Sequence, residues 1–185
     1  MSARRNRVRI IGGEWRSRWL NFPDGQDLRP TPDRVRETLF NWLGQDLTGK
    51  TCLDLYAGSG ALGFEAASRG ARRVVLVERE RVTVAALNES RAALKANQAE
   101  VLRADALEFL RKDGGVYDVV FLDPPFADDH WLVLFEWLPG RLSPGALVYR
   151  ESGKALSAPP GFEMLREGRA GQVSHQLLKR IHHDH

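Results

Sequence analysis

The chain has 185 residues, the usual length of one folded domain with room for a small appendage. Its composition, 43% hydrophobic and 28% charged, excludes general disorder and is typical of a soluble globular protein. No apolar run could span a bilayer, the start does not resemble a signal peptide, and a single cysteine, Cys52, excludes both a disulfide framework and a cysteine metal cluster. We therefore expect a cytoplasmic protein without a metal site.

The first twenty residues form a basic segment, although the net charge of the chain is only +3. Such a segment attracts polyanions, and we predict that it binds RNA through Arg4, Arg5, Arg7, Arg9, Arg16 and Arg18. The alternative is a frayed terminus, but apolar residues alternate with the arginines. The pattern predicts a β-hairpin of residues 7–11 and 14–20 with a tight turn at Gly12-Gly13. We assign residues 1–22 to this arm and 23–185 to the main domain.

A helix is predicted to begin near Thr31, after a loop rich in proline, aspartate and glycine. Thr31 is suited to cap it, Pro32 to occupy its first position, and Asp33 to interact with its positive end. Gly44 is predicted to end it. Its apolar face is formed by Val35, Leu39, Phe40 and Leu43.

From residue 51 onward, short apolar runs alternate with helical patterns, which is the signature of a parallel sheet with crossover helices. The predicted strands are Thr51–Tyr56, Arg73–Glu78, Ala99–Arg103, Tyr117–Leu122 and Ala146–Glu151, followed by a terminal hairpin of Phe162–Arg166 and Val173–Arg180. The predicted helices are Gly60–Arg69, Arg81–Asn97, Ala106–Lys112 and Asp129–Trp137. For the histidines at positions 182, 183 and 185 we expect a disordered end, not a metal site.

The glycine-rich turn of residues 57–63 follows a buried strand and precedes a helix, so a ligand can approach its backbone closely. Glu78 ends the next strand, where an acid can accept hydrogen bonds from a ribose. Gly58, Gly60 and Gly63 also satisfy the fingerprint of nicotinamide cofactors, so the turn alone indicates only a nucleoside-containing cofactor.

Two further acids favour S-adenosylmethionine over a dinucleotide. Asp54, inside the strand before the turn, has no role beside a pyrophosphate but could hold the amino group of a methionine moiety. Asp105, after the third strand, could accept from an adenine amino group. The alternatives are a strand-end turn for Asp54 and a helix N-cap for Asp105. We place Tyr56 and Ala106 in the same cofactor site.

The motif Asp123-Pro124-Pro125-Phe126 follows the fourth predicted strand, next to the cofactor turn. The amino nitrogen of a base is a poor nucleophile because its lone pair is delocalised. The Asp123 carboxylate and the Pro124 carbonyl could accept its two hydrogens and orient it, while Phe126 could stack on an extruded base, a contact worth about 1–3 kcal/mol. The alternative is an ordinary Pro-Pro turn.

On these residues the sequence resembles the bacterial RsmD family of 16S ribosomal RNA guanine-N2 methyltransferases. The resemblance extends along most of the chain, over residues 9–13, 29–31, 34–43, 57–60, 68–71 and 123–126. It implies a class I methyltransferase fold, an α/β Rossmann-like doubly wound sheet of seven strands with the last strand antiparallel, and a guanine in small-subunit RNA as substrate. It also implies that Thr31 and Arg36 contact the cofactor. The family often has glycine where this chain has Ser17, a departure that concerns the turn of the arm and its contact with RNA but no catalytic position.

Three other functions remain open. A DNA amino-methyltransferase would use the same Asp-Pro-Pro-Phe centre, but this chain has no evident domain for reading a duplex. A nicotinamide oxidoreductase would leave that centre without a task, and a non-catalytic RNA-binding module would not need a cofactor pocket. The sequence therefore predicts direct methyl transfer to an RNA base by a monomer, with no membrane and no stable protein partner.

Overall fold

A computed structural model describes residues 6–24, 28–125 and 130–181 of the chain. Its strands are β1 (Asn6–Arg9), β2 (Trp19–Phe22), β3 (Thr51–Asp54), β4 (Arg73–Glu78), β5 (Ala99–Arg103), β6 (Tyr117–Leu122), β7 (Leu142–Ser152), β8 (Phe162–Ala170) and β9 (Val173–Arg180). Its helices are α1 (Asp33–Trp42), α2 (Ala61–Ser68), α3 (Arg81–Leu94), α4 (Ala106–Lys112) and α5 (Trp131–Trp137), the last followed by a short 3-10 helix, Leu138–Arg141.

Seven of the strands form one mixed sheet in the order β5-β4-β3-β6-β7-β9-β8. The pairs from β5 to β7 are parallel, whereas β9 pairs antiparallel with both β7 and β8. The predicted fold is therefore confirmed, including the antiparallel last strand and the separate N-terminal hairpin of β1 and β2. Within the described ranges, no helix has the length and apolar character needed to cross a membrane.

Helices cover both faces of the sheet and enclose a core on each side. On one face the arm, α1, α2 and α3 pack with residues such as Phe40, Phe64 and Leu87 in the core. On the other face α4 and α5 contribute Leu110 and Leu134. Because both faces are covered, β3 and β6 consist almost entirely of buried residues, as a central parallel strand requires.

Several predicted element ends are shifted. β3 ends at Asp54 instead of Tyr56 because the chain already turns there, and α3 ends at Leu94 because Lys95 adopts a left-handed conformation, with φ of 54°. β7 begins earlier than predicted because Leu142 pairs with Tyr117 of the parallel strand β6, and β8 continues further because it pairs with β9 as far as Ala170. α5 begins at Trp131, and its predicted start, Asp129, lies outside the described residues.

The connection in the arm differs from the predicted tight turn. The strands pair from Asn6 with Phe22 to Arg9 with Trp19, so the connection spans residues 10–18 and Gly12-Gly13 is only part of it. These glycines contact α2 instead: a Cβ on Gly13 would lie 2.0 Å from the Ser68 carbonyl oxygen. Ser17 has a φ of 70°, a left-handed conformation that favours glycine, so the turn is kept despite the serine.

The start of α1 also differs from the prediction. Pro32 occupies the N-cap position, not the first helical position, and α1 has no side-chain cap. The predicted cap, Thr31, instead donates its hydroxyl to Glu151, 120 residues away in sequence, at 2.8 Å. A tertiary hydrogen bond has replaced the local one that the sequence pattern favoured.

A fully buried ion pair between Arg36 and Glu65 joins the arm, α1 and α2. Arg36 Nη1 lies 3.4 Å from Glu65 Oε1 and donates to the Arg9 carbonyl at 2.8 Å, and both side chains are inaccessible to solvent. Glu65 also accepts from the backbone N–H groups of Ile11 at 2.8 Å and Gly12 at 3.0 Å. Arg36 therefore holds the arm against the domain.

Removing the Glu65 carboxylate is expected to be strongly destabilising, because it takes one of the two carboxylates that pair with the buried Arg36, the other being Asp33, and leaves the N–H groups of Ile11 and Gly12 without their acceptor. We expect Glu65→Ala to lower the free energy of unfolding by about 3–5 kcal/mol in urea denaturation. Glu89→Ala, an exposed position on α3, is the matched control and should change stability by less than about 0.5 kcal/mol. A loss below about 1 kcal/mol for Glu65→Ala would contradict this role of the ion pair.

Candidate active site

A cavity of about 600 Å³ opens at the carboxyl ends of β3, β4, β6 and β7. It lies where the strand order reverses, because the chain continues from β3 to β4 on one side while β6 pairs with β3 on the other. Ligand sites of doubly wound sheets occur at this crevice. Of the predicted site residues, the cavity wall includes Thr31, Asp54, Tyr56, Gly58, Glu78, Asp105, Ala106, Asp123, Pro124 and Pro125.

The glycine-rich turn contributes Gly58 to the wall, with φ of +52° and its N–H donating to Glu78 Oε2 at 3.0 Å. Gly60 is placed differently. It is the N-cap of α2 with φ of 84°, and a Cβ there would lie 2.5 Å from the Phe64 ring. Gly60 is thus required for packing and is not part of the cavity wall.

Asp54 lies at the bottom of the cavity, and only 2% of its surface is exposed. Its Oδ2 accepts from the Gly63 N–H at 3.0 Å, so the carboxyl group is fixed by the first turn of α2. The pKa of Asp54 is raised to about 7, mainly by burial; the negative charges of Glu78 and Glu151 contribute, while hydrogen bonds from the Gly63 and Tyr56 N–H groups oppose the rise. A cationic group in the cavity would favour its ionised form.

Two acids line the opposite part of the cavity and are held by backbone N–H groups. Glu78 accepts from Gly58 through Oε2 and from Arg79 and Glu80 through Oε1, at 3.0 to 3.1 Å. Asp105 is the N-cap of α4, with Oδ1 accepting from two backbone N–H groups. The helix cap that the sequence offered as an alternative for Asp105 is therefore present, at a position that also faces the cavity.

The segment after β6 brings Asp123, Pro124 and Pro125 to the same cavity, while Phe126 lies outside the described residues. Desolvation raises the pKa of Asp123 well above its ordinary value, and the neighbouring Glu151 carboxylate raises it further. Burial opposes ionisation of Glu151 as well, but hydrogen bonds from its neighbours outweigh it and lower the pKa of Glu151.

Glu151 is the site residue that sequence reasoning missed. It ends the apolar run of β7, one strand away from Asp123, and it lines the cavity. The available signal was an acid at the carboxyl end of a strand next to the Asp123 motif, but Glu151 was predicted only as the last residue of that strand. Arg36 is the opposite case: it was predicted to contact the cofactor, and the structure encloses its guanidinium between Glu65, Asp33 and backbone carbonyls, away from the cavity wall.

Comparison with known proteins reveals one family that spans nearly the whole chain. Residues 8–179 match the family described as conserved hypothetical protein 95. Ribosomal RNA small subunit methyltransferase D of Escherichia coli is 44% identical over 178 residues, which cover 94% of this chain and 90% of that protein.

Solved structures show the same relationship. The putative methyltransferase yhhF from Escherichia coli is 43% identical and superimposes with a TM-score of 0.87 over 95% of this chain and 99% of that one. A T. thermophilus 16S rRNA N2 methyltransferase, RsmC, in complex with AdoMet and guanosine, has a TM-score of 0.73 over 97% of this chain and 50% of its own. At 24% identity, this last similarity shows a shared fold.

The raised pKa of Asp54 predicts a pH-dependent cost to the folded protein. Near pH 3 both states are largely protonated, but as the pH rises towards about 7 the unfolded state releases this proton first and is favoured. We expect Asp54→Asn to match the unliganded wild type near pH 3 and to exceed its free energy of unfolding by roughly 2–4 kcal/mol at about pH 8.

Asp118→Asn provides a control with the opposite sign. Burial raises the pKa of Asp118, but hydrogen bonds from Thr51 and Ser143 outweigh it and leave the pKa below its ordinary value. This variant should be less stable than the wild type at neutral pH, and the difference should shrink as the pH falls through that lowered pKa. An Asp54→Asn variant that follows the same course would show that Asp54 is stabilised as an anion.

Proposed function

The chain belongs to the conserved hypothetical protein 95 family, the RsmD family of ribosomal RNA methyltransferases, and we propose that it methylates the exocyclic N2 amino group of one guanine in 16S ribosomal RNA with S-adenosylmethionine. The observation that carries this proposal is the meeting of two strand ends. β3 presents Asp54 and the Gly58 turn, and the adjacent β6 presents Asp123 and Pro124, to the same cavity.

The residues of the cavity fit S-adenosylmethionine. Asp54 is a buried carboxyl group that gains a counter-ion from the ammonium of the methionine moiety, Glu78 is suited to the ribose, and Asp105 to the adenine amino group. Gly58 has no side chain, so the ligand can reach its backbone. The space beside it is narrow, since a Cβ there would lie 3.3 Å from the Leu28 side chain, which also lines the cavity. Thr31, Tyr56 and Ala106 complete the proposed cofactor site. When bound, S-adenosylmethionine supplies a sulfonium methyl group that an amine can displace directly.

The protein's task is to orient a weak nucleophile. Asp123 and the Pro124 carbonyl accept the two hydrogens of the guanine N2, so that its electron density faces the methyl group. Both prolines restrict the backbone and lack an N–H that would compete for these acceptors. Phe126 is proposed to stack on the base. Catalysis then comes mainly from positioning and from the negative environment in which the amine becomes positively charged.

The arm provides an RNA-binding surface next to this domain. Its core residues Val8, Ile10, Trp15 and Leu20 are buried. The arginines at positions 7, 9, 16 and 18 are all exposed, whereas Arg4 and Arg5 lie outside the described residues. Arg7 lies over the half-exposed Trp19 ring at 4.5 Å, which holds its charge at the surface. We propose that these arginines hold phosphates around a guanine that leaves its helix.

We further propose that the arm comprises residues 1–22 and the methyltransferase domain residues 23–185. The protein would act in the cytoplasm, as a monomer, on 16S RNA within a small-subunit particle. A DNA amino-methyltransferase would use the same centre, but the curated relative at 44% identity is named for ribosomal RNA, which favours RNA. A nicotinamide oxidoreductase would give Asp123 and Pro124 no role.

The proposed function is tested by methyl transfer from labelled S-adenosylmethionine to RNA, DNA and small ribosomal subunits in separate reactions. Label is expected in 16S RNA, at N2 of one guanine after nuclease digestion. Asp123→Ala should bind the cofactor in calorimetry nearly as the wild type does, yet lose about 100-fold or more in turnover. Asp46→Ala, outside the cavity, is the control and should keep full turnover. Label in DNA alone would overturn the substrate, and full turnover of Asp123→Ala would overturn the centre.

The role of the arm predicts a change in salt dependence. The double variant Arg7→Gln, Arg16→Gln should bind the RNA substrate more weakly, and the slope of log affinity against log salt should fall by roughly 0.7–0.9 for each phosphate that is no longer bound. The fluorescence anisotropy of labelled RNA measures both. Lys112→Gln removes an exposed charge outside the arm and should leave the slope unchanged. Equal slopes for the wild type and the arm variant would exclude phosphate binding by these two arginines.

A further inference from the structure

A buried polar cluster surrounds Glu151 at the back of the cavity. Glu151 Oε1 accepts from Tyr149 at 2.6 Å and from Thr31 at 2.8 Å, and His175 Nδ1 lies 3.5 Å from the same oxygen. The Tyr149 hydroxyl also contacts His175 Nδ1, at 2.7 Å. These residues come from β7, β9 and the segment before α1, and the proposed function gives most of them no task.

The directions of these hydrogen bonds can be worked out from the donors. If Tyr149 donates to Glu151, it accepts from His175 Nδ1–H, and His175 Nε2 then carries no proton. His175 Nε2 is buried without a hydrogen-bond partner among the described residues. An unpaired lone pair is easier to bury there than an unpaired N–H. The cluster thus presents two donors to Oε1 and holds Glu151 as an anion.

Asp123 lies beside Glu151, because Leu122 of β6 pairs with Arg150 of β7 and both carboxyl groups line the cavity. Two neighbouring buried carboxyl groups can share a hydrogen bond only if one of them carries a proton. Since Glu151 already accepts from Tyr149 and Thr31, which favours its ionised form, we place this proton on Asp123, whose pKa is raised by burial and by Glu151. Among the described residues, Asp54 on β3 also acts on this pair, and its negative charge, when it is ionised, further disfavours ionisation of Asp123.

This arrangement affects the proposed reaction, on which the inference rests. A methylated amino group must lose one proton. A protonated Asp123 can accept that proton only if it passes its own proton to another group. We propose that Glu151 is a positioning residue that keeps Asp123 protonated and receives the proton of the reaction through it.

The transfer balances without any further reactant. As the new N–C bond forms, the bond between the methyl group and the sulfonium sulfur would break and the donor would leave as a neutral thioether. The N2–H bond breaks and its proton passes to the free oxygen of Asp123. The O–H bond of Asp123 breaks, and that proton passes to Glu151. Asp123 is again protonated at the end of the transfer, and Glu151 stays neutral until it releases its proton. Thr31 and Tyr149 keep the receiving carboxylate in place throughout.

The first test uses the free protein and needs no activity. Replacing Glu151 by Gln removes the negative charge beside Asp123, so the pKa of Asp123 should fall. Carboxyl ¹³C NMR titration measures it, with the Asp123 signal identified by its loss in Asp123→Asn. Glu163→Gln makes the same chemical change at an exposed position on β8 and should leave the Asp123 titration unchanged. An Asp123 pKa that is equal in the wild type and Glu151→Gln would overturn the proposal.

The second test compares the pH dependence of single-turnover methyl transfer with that titration, at saturating cofactor and RNA. In the wild type the rate should stay level below the pKa of Asp123, because Glu151 accepts the proton. In Glu151→Gln the acceptor is Asp123 itself, so the rate should fall about tenfold per pH unit below the pKa that NMR assigns to Asp123 in that variant. Glu151→Asp keeps the charge and should restore the level profile.

The outcomes separate this inference from the proposed function. A wild type that transfers no methyl group to RNA would defeat the proposed function, while the NMR result would stand on its own. A wild type whose rate rises with ionisation of Asp123 would show that Asp123 is itself the base and would overturn the role of Glu151. If Glu151→Gln did not fold, the wild-type profile and Glu151→Asp would still decide the question.

Discussion

The parallel pairing of β3 with β6 is the constraint on which the rest of the site depends. It sets Asp54 opposite Phe121 at the carboxyl ends of the two strands, so both strands end at the same edge of the sheet. The chain then turns one way into the Gly58 turn and the other way into the Asp123 segment, and the cavity is the space between these two turns. Neither turn alone could form a site that takes both a cofactor and a base.

The arm is attached to this framework by charge as well as by apolar packing. The buried Glu65 carboxylate on α2 accepts from the backbone of the arm, and Arg36 on α1 donates to it from the other side. Trp15 and Leu20 add apolar contacts in the same core. Because one buried ion pair is shared by three elements, the exposed arginines of the arm are held in a fixed position relative to the cavity, which a flexible basic tail would not achieve.

The sequence was sufficient to predict those parts of the structure that depend on local interactions or on periodic apolar patterns. The sheet, its helices and most of the cavity residues follow from apolar runs, from the glycine turn and from the Asp123 motif. Interactions between residues far apart in sequence were not predictable. Thr31 has the sequence position of a helix cap but donates a hydrogen bond to Glu151, 120 residues away. Arg36 was expected to contact the cofactor but forms a buried ion pair with Glu65. Glu151 itself has no motif, because its importance comes only from the strand beside it.

Three carboxyl groups of the cavity, those of Asp54, Asp123 and Glu151, differ in protonation, and this difference determines what the cavity can bind. Tyr149 and Thr31 stabilise Glu151 as an anion, whereas burial raises the pKa of Asp54 to about 7 and that of Asp123 well above its ordinary value. Near neutral pH the cavity thus carries less negative charge than its number of acids suggests, and it can gain negative charge when a cation enters. Such a site is suited to binding a positively charged ligand, because the ligand's charge favours ionised Asp54. When the ligand loses its charge, Asp54 can take up a proton again and the ligand is bound less strongly. The same burial that costs the unliganded protein stability therefore makes the site responsive to the charge of its ligand.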